Sequence, residues 1–193
     1  MDQSIINLLS NIKLNNSVLK NANPNLMQRG IADLLEKYIV EEIKNKSPKN
    51  VLVSVPKSKR SIEDILLQYN NNNYYIDVKT INDDGKFNMP NLISIDRLRK
   101  LYKSDRNYFV LICVHYANKQ IINIEIHQIE KISFESIHIQ NLGKGQLQLK
   151  NSQRNICKFN GTRSEWLRQL RENAIIFYDN LISKTKKLRE SWN

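Results

Sequence analysis

Between Ser61 and Thr80 the chain reads SIEDILLQYNNNNYYIDVKT, two short apolar runs separated by a polar turn at Asn70–Asn73. Side chains alternate faces along a strand, so Asp77 and Lys79 project from one side while Val78 points into a core. If the runs pair as a hairpin, Asp64, at the front of the first run, approaches that acid–lysine pair. Two carboxylates converging beside a lysine make a site for a divalent cation and an activated water. Such a site can cut a phosphodiester.

The spacing resembles the active site of the PD-(D/E)xK nuclease superfamily, whose largest group is the type II restriction endonucleases. In that family an acid opens one strand and an acid-x-lysine triplet lies on the next. Asp64 matches the first acid, with Glu63 where proline usually stands and itself a rival ligand. Asp77 and Lys79 match the triplet within Ile76-Asp77-Val78-Lys79-Thr80. The resemblance covers roughly residues 29 to 115. It implies Mg2+ held by Asp64, Asp77 and the Val78 carbonyl. It also implies a Lys79 that orients or deprotonates the attacking water, or stabilises the transition state. A third acid often comes from an early helix, and the resemblance points to Glu36, with Glu42 as rival.

A chain of 193 residues suffices for one domain with a sizeable core. The expectation is a single nuclease domain over 1–193, with the catalytic core at about 29–129 and a C-terminal hairpin and helix at 132–193. Thirty Lys and Arg against nineteen Asp and Glu leave a net charge of +11, which suits a polyanion such as double-stranded DNA. The basic residues are dispersed rather than gathered on one amphipathic helix, which disfavours a membrane surface. No apolar run approaches the ~20 residues of a membrane span, and no basic leader precedes MDQSIINLLSNIK, so a cytoplasmic location is expected. Cys113 and Cys157 are too few and too distant for a zinc knuckle or a disulfide framework.

Apolar periodicity predicts helices over 3–14, 28–46, 95–103 and 164–189, the last capped by Thr162 or Ser164. Strands are expected at 51–55, in the hairpin, at 107–116 and at 121–126, with one or two more between 132 and 149. The run NYFVLICVHY at 107–116 has the continuous apolarity of a strand buried on both faces. The fold class is therefore α/β, a mixed central β-sheet flanked by helices, which is also the restriction-endonuclease-like core.

Two polar segments offer groups that could read base edges. One follows the active strand, with Asn82, Lys86, Asn88 and Asn91; the other surrounds a glycine turn, with Gln140, Asn141, Lys144, Gln146 and Gln148. Arg97, Arg99, Lys100, Lys103 and the 184–187 lysines are possible phosphate contacts. Asp83 and Asp84 precede Gly85 and read as a turn. His115, His127 and His138 fall on separate expected strands. Three functions are open: a Mg-dependent type II restriction enzyme acting as a homodimer on palindromic DNA, a junction resolvase or repair nuclease of the same fold, and a non-catalytic basic DNA-binding domain.

Overall fold

The computed structural model describes residues 1–13, 16–20, 28–56, 58, 61–84, 90–142, 145–150 and 156–192. The fold is mixed α/β. The chain divides into two compact units, residues 1–90 with 100–129, and residues 91–99 with 130–193.

The first unit is built on a five-stranded sheet. Strands β1 (Leu52–Ser54), β2 (Ile65–Tyr69) and β3 (Asn72–Asn82) are joined by β5 (Asn107–Ala117) and β6 (Gln120–Gln128), in the order β1-β2-β3-β5-β6. All neighbours are antiparallel except β3 and β5, which run parallel. A parallel pair needs a crossover, and residues 83–106 supply it, carrying β4 (Asn91–Ser94) and α4 (Ile95–Leu101).

Both tight turns of this sheet take left-handed backbone. Asn70 and Asn71 have φ of 48° and 59° between β2 and β3; Asn118 and Lys119 have 48° and 56° between β5 and β6. Two-residue hairpins favour such turns because their twist matches that of the strands, and asparagine tolerates the conformation. The turn is thus shorter than the four asparagines suggest. Asn72 and Asn73 already belong to β3, and Asn73 Nδ2 donates to Asn107 Oδ1 at 2.9 Å across the parallel pair.

Helices α1 (Gln3–Ser10), α2 (Ser17–Lys20) and α3 (Gln28–Lys46) flank this sheet. Asp2 caps α1 by accepting from the Ser4 amide at 2.9 Å. The helix ends at Ser10, short of the expected Leu14. Helix α3 buries Leu35, Ile39 and Ile43, one residue per turn, beside Ile5 and Leu9 of α1 and against Ile65, Leu67, Tyr74, Ile76 and Val78. β5 is the innermost element by burial, with Phe109 to Val114 continuously buried.

The second unit holds a three-stranded antiparallel sheet, β4 with β8 (Gln146–Leu149) and then β7 (Ile137–Gln140). The long helix α5 (Arg163–Glu190) opens with a capping box: Thr162 Oγ1 accepts from the Glu165 amide, and Glu165 accepts in return from the Thr162 amide. Trp166 anchors it, fully buried, with its Nε1–H donating to the Ile132 carbonyl at 2.8 Å and its ring 5.3 Å from Phe134. Among the described residues no helix is long and apolar enough to cross a membrane.

Candidate active site

Asp64 is the residue before β2, and its amide donates to the Ile76 carbonyl at 2.8 Å. This bond extends the β2–β3 ladder, in which Ile65 pairs with Ile76, by one step toward Asp77. Asp64 Oδ2 then accepts a 2.7 Å bond from the Val78 amide. The first acid is therefore fixed to the strand that carries the second. Tyr74, Ile76 and Val78 enter the helix-side core, so alternation sends Asp77 and Lys79 to the other face. Lys79 Nζ donates to Asp77 Oδ1 at 2.7 Å.

Asp77 is only 6% exposed. Burial pushes its carboxyl from 3.8 up to about 7, against the opposing pull of Lys79 and with reinforcement from the neighbouring Asp64 carboxylate. As a carboxylate, its buried Oδ2 has no hydrogen-bond partner. For Lys79, burial works against the charged form, but the Asp77 and Asp64 carboxylates outweigh it and the pKa rises. The lysine keeps its proton.

On α3, Glu36 lies within electrostatic reach of this group. Burial raises its pKa first, the negative charge of Asp64 adds to the rise, and the positive charge of Lys79 opposes it. Glu42 is engaged elsewhere, in a 2.6 Å ion pair with Lys46 one turn along. Glu63, the other acid at the start of the hairpin, bears on Tyr75 rather than on Asp77. The structure thus brings Asp64, Asp77 and Lys79 together through hydrogen bonds, while Glu36 on α3 feels the charges of Asp64 and Lys79.

These donors suit a hard cation. Among the described residues no three His, Cys, Asp or Glu side chains form a ready-made metal cage. Magnesium does not require one, since one or two carboxylates, a substrate phosphate and waters complete its shell. The buried Oδ2 of Asp77, without a partner when ionised, is the oxygen such an ion would take up.

The polar segments fare differently. Asn82 ends β3 and its Oδ1 accepts from the Asp84 amide at 3.0 Å, while Asn141 is exposed beside the β7–β8 turn. Asn91 and Gln148 bond each other at 3.0 Å across β4 and β8, and Gln146 donates to the Leu92 carbonyl at 3.1 Å. Gln148 is also buried. These three amides tie β4 to β8, as buried or half-buried polar side chains on paired strands satisfy one another. Lys86, Asn88 and Lys144 lie outside the described residues.

A second polar cluster sits on the same sheet face, and no local pattern hinted at it. Lys79, Cys113 and Glu125 form one row across β3, β5 and β6. Glu125 Oε2 lies 3.0 Å from His127 Nε2 and 4.0 Å from His115 Nε2, and His115 Nδ1 faces Asp83 Oδ1 at 3.4 Å. Asp84 accepts from the Asn118 amide, pinning the β5–β6 turn. Only the β5–β6 register brings the two histidines to one carboxylate. Cys113, fully buried in the middle of the row, has its thiol pushed up to about 12 by burial first and then by Glu125 and Asp77. It is inert as a nucleophile.

No protein-family model matches the chain, and no curated protein matches it.

Proposed function

We propose that the protein is a Mg2+-dependent endodeoxyribonuclease of the type II restriction kind, hydrolysing phosphodiester bonds in double-stranded DNA as a homodimer. The observation that carries this reading is the convergence of Asp64, Asp77 and Lys79 at one end of the β2–β3 hairpin, with Glu36 reaching the same charges from α3. The net charge of +11 supports a polyanionic substrate.

Asp64, Asp77 and the Val78 carbonyl would hold the ion. Bound there, magnesium supplies charge against that developing on the phosphoryl group and acidifies a water. The Val78 amide keeps Asp64 aimed at the site. Lys79 stays protonated beside Asp77, so its part is to donate a hydrogen bond to the attacking water or to the phosphoryl oxygens rather than to act as the base. Glu36, on α3, adds negative charge to the field around Asp64 and Lys79.

Incubation with plasmid and magnesium tests the reading. Discrete fragments are expected, abolished in Asp77→Ala and Lys79→Ala proteins that retain the wild-type circular dichroism spectrum. Undiminished cleavage by both variants refutes the site. A preference for a four-way junction over linear duplex, with no banding, moves the substrate to branched DNA.

A further inference from the structure

Two imidazoles meet at one carboxylate oxygen where β5 pairs with β6. Glu125 Oε2 lies 3.0 Å from His127 Nε2 and 4.0 Å from His115 Nε2. Asn123 Nδ2 donates to Glu125 Oε1 at 3.2 Å, which steadies the carboxylate and leaves Oε2 to the histidines. Asp83 Oδ1 lies 3.4 Å from His115 Nδ1. An ionised carboxylate only accepts, so Asp83 selects the His115 tautomer with its hydrogen on Nδ1. The Nε2 lone pair then faces the Glu125 carboxylate, acceptor against acceptor. That nitrogen is buried and has no hydrogen-bond partner among the described residues. A buried lone pair and a carboxylate aimed at each other call for a cation between them.

We infer that His115, Glu125 and His127 form a binding site for a transition-metal ion of the zinc class, with Asp83 and Asn123 as positioning residues. Two imidazole nitrogens and a carboxylate are the donor set of an open zinc site, whose fourth position is left to water. Zinc–ligand bonds of about 2.0–2.1 Å in a tetrahedron put neighbouring donors about 3.4 Å apart. The 3.0 and 4.0 Å separations straddle that edge. Asp83 behind His115 supplies the carboxylate–histidine support that orients a ligating imidazole.

Among the described residues no cage is already closed. Closure here takes a small approach of His115 and a shift of the His127 hydrogen from Nε2 to Nδ1. The side chains of His115, His127 and Glu125 are 12%, 17% and 25% exposed, so the donors are held in place yet open to an entering ion.

Imidazole nitrogen favours zinc, whereas magnesium takes oxygen. Glu125 lies two strands from Lys79, about 10 Å at ordinary sheet spacing. Paired catalytic ions sit only about 3.5–4 Å apart. The site is therefore not a second ion for the acid–lysine group, and it stands whether or not the nuclease reading does. Asp83, the residue after β3, donates its amide to the Tyr116 carbonyl. An ion on His115 thus ties the β5–β6 pair to the start of the crossover.

Calorimetric titration of the chelator-treated full chain with zinc alone tests the site. One ion per chain is expected, at micromolar affinity or tighter, unaffected by excess magnesium and accompanied by a higher melting temperature. His127→Ala and Glu125→Gln, with unchanged circular dichroism, should each weaken binding by more than about ten-fold, and Asp83→Asn by about ten-fold. Cobalt in place of zinc should give visible absorption bands that His127→Ala abolishes. Asp77→Ala and Cys157→Ser should bind zinc as the wild type does. A chain that binds no zinc leaves the gap between His115 and Glu125 to a proton and overturns the inference. So does zinc held equally well by both His127→Ala and Glu125→Gln, or lost in Asp77→Ala or Cys157→Ser.

Discussion

The carboxylate of Asp64 accepts a 2.7 Å hydrogen bond from the backbone amide of Val78, the residue between Asp77 and Lys79. One side chain thereby stitches the start of β2 to the centre of the acid-x-lysine triplet. Its structural and chemical parts can be separated. Asp64→Ala removes both and should cost about 1–3 kcal/mol in denaturant unfolding, since a part-buried amide loses a charged acceptor. Asp64→Asn keeps an acceptor and should recover most of that stability, yet lose cleavage as fully as Asp64→Ala. Restored cleavage in the Asn variant would remove Asp64 from the ligand set.

Asp77 couples the site to pH. Its folded pKa, about 7, lies above the ordinary 3.8, so the folded state holds a proton that the unfolded chain releases. In metal-free protein the associated stability is therefore present below pH 4 and drains away as pH rises through 7, by at most about 4 kcal/mol. Asp77→Asn, which preserves an acceptor for Lys79 and adds a donor toward Asp64, should flatten that loss and raise the melting temperature at pH 8. Magnesium must displace the same proton, so its affinity, read by calorimetry in two buffers, should climb with pH through 7 with proton release.

The two helix acids make a matched comparison. Glu36→Gln should weaken magnesium-dependent cleavage several-fold, because it removes a charge felt by Asp64 and Lys79. Glu42→Gln breaks only the surface pair with Lys46 and should cost about 0.3–0.5 kcal/mol with cleavage intact. Equal effects of the two substitutions on cleavage would remove Glu36 from the site.

In the second unit, Trp166 is the residue whose loss should matter most. Trp166→Ala empties a fully buried site and should cost about 3–5 kcal/mol in chemical denaturation. Trp166→Phe keeps most of the packing but leaves the Ile132 carbonyl without its donor, for about 1–2 kcal/mol. Equal losses for both variants would mean that the hydrogen bond, not the volume, dominates.

Local pattern carried much of the fold. Helix α3 begins and ends where its periodicity does, and β5 announces itself by unbroken apolarity. The hairpin is legible because Asn70 and Asn71 separate two runs of strand-forming residues. What pattern could not supply is register. Asn73 looks like turn sequence, yet it sits opposite Asn107 on a parallel neighbour distant along the chain. Gln148 looks like a surface group, yet burial and the Asn91 amide claim it. His115 and His127 share Glu125 only through the β5–β6 pairing. Asp64, Asp77 and Lys79 were legible because a hairpin fixes its own register, and non-local pairings do not.

The small sheet draws its strands from two distant stretches: β4 leaves the chain inside the β3–β5 crossover, while β7 and β8 follow β6. During synthesis Leu92 of β4 emerges 54 residues before Gln146 of its partner β8, and Leu92 and Ile93 must wait uncovered until then. A chain ending near residue 130 would strand that edge permanently and invite aggregation. The gene therefore cannot be cut between the two units, because each draws on residues from both sides of any such cut.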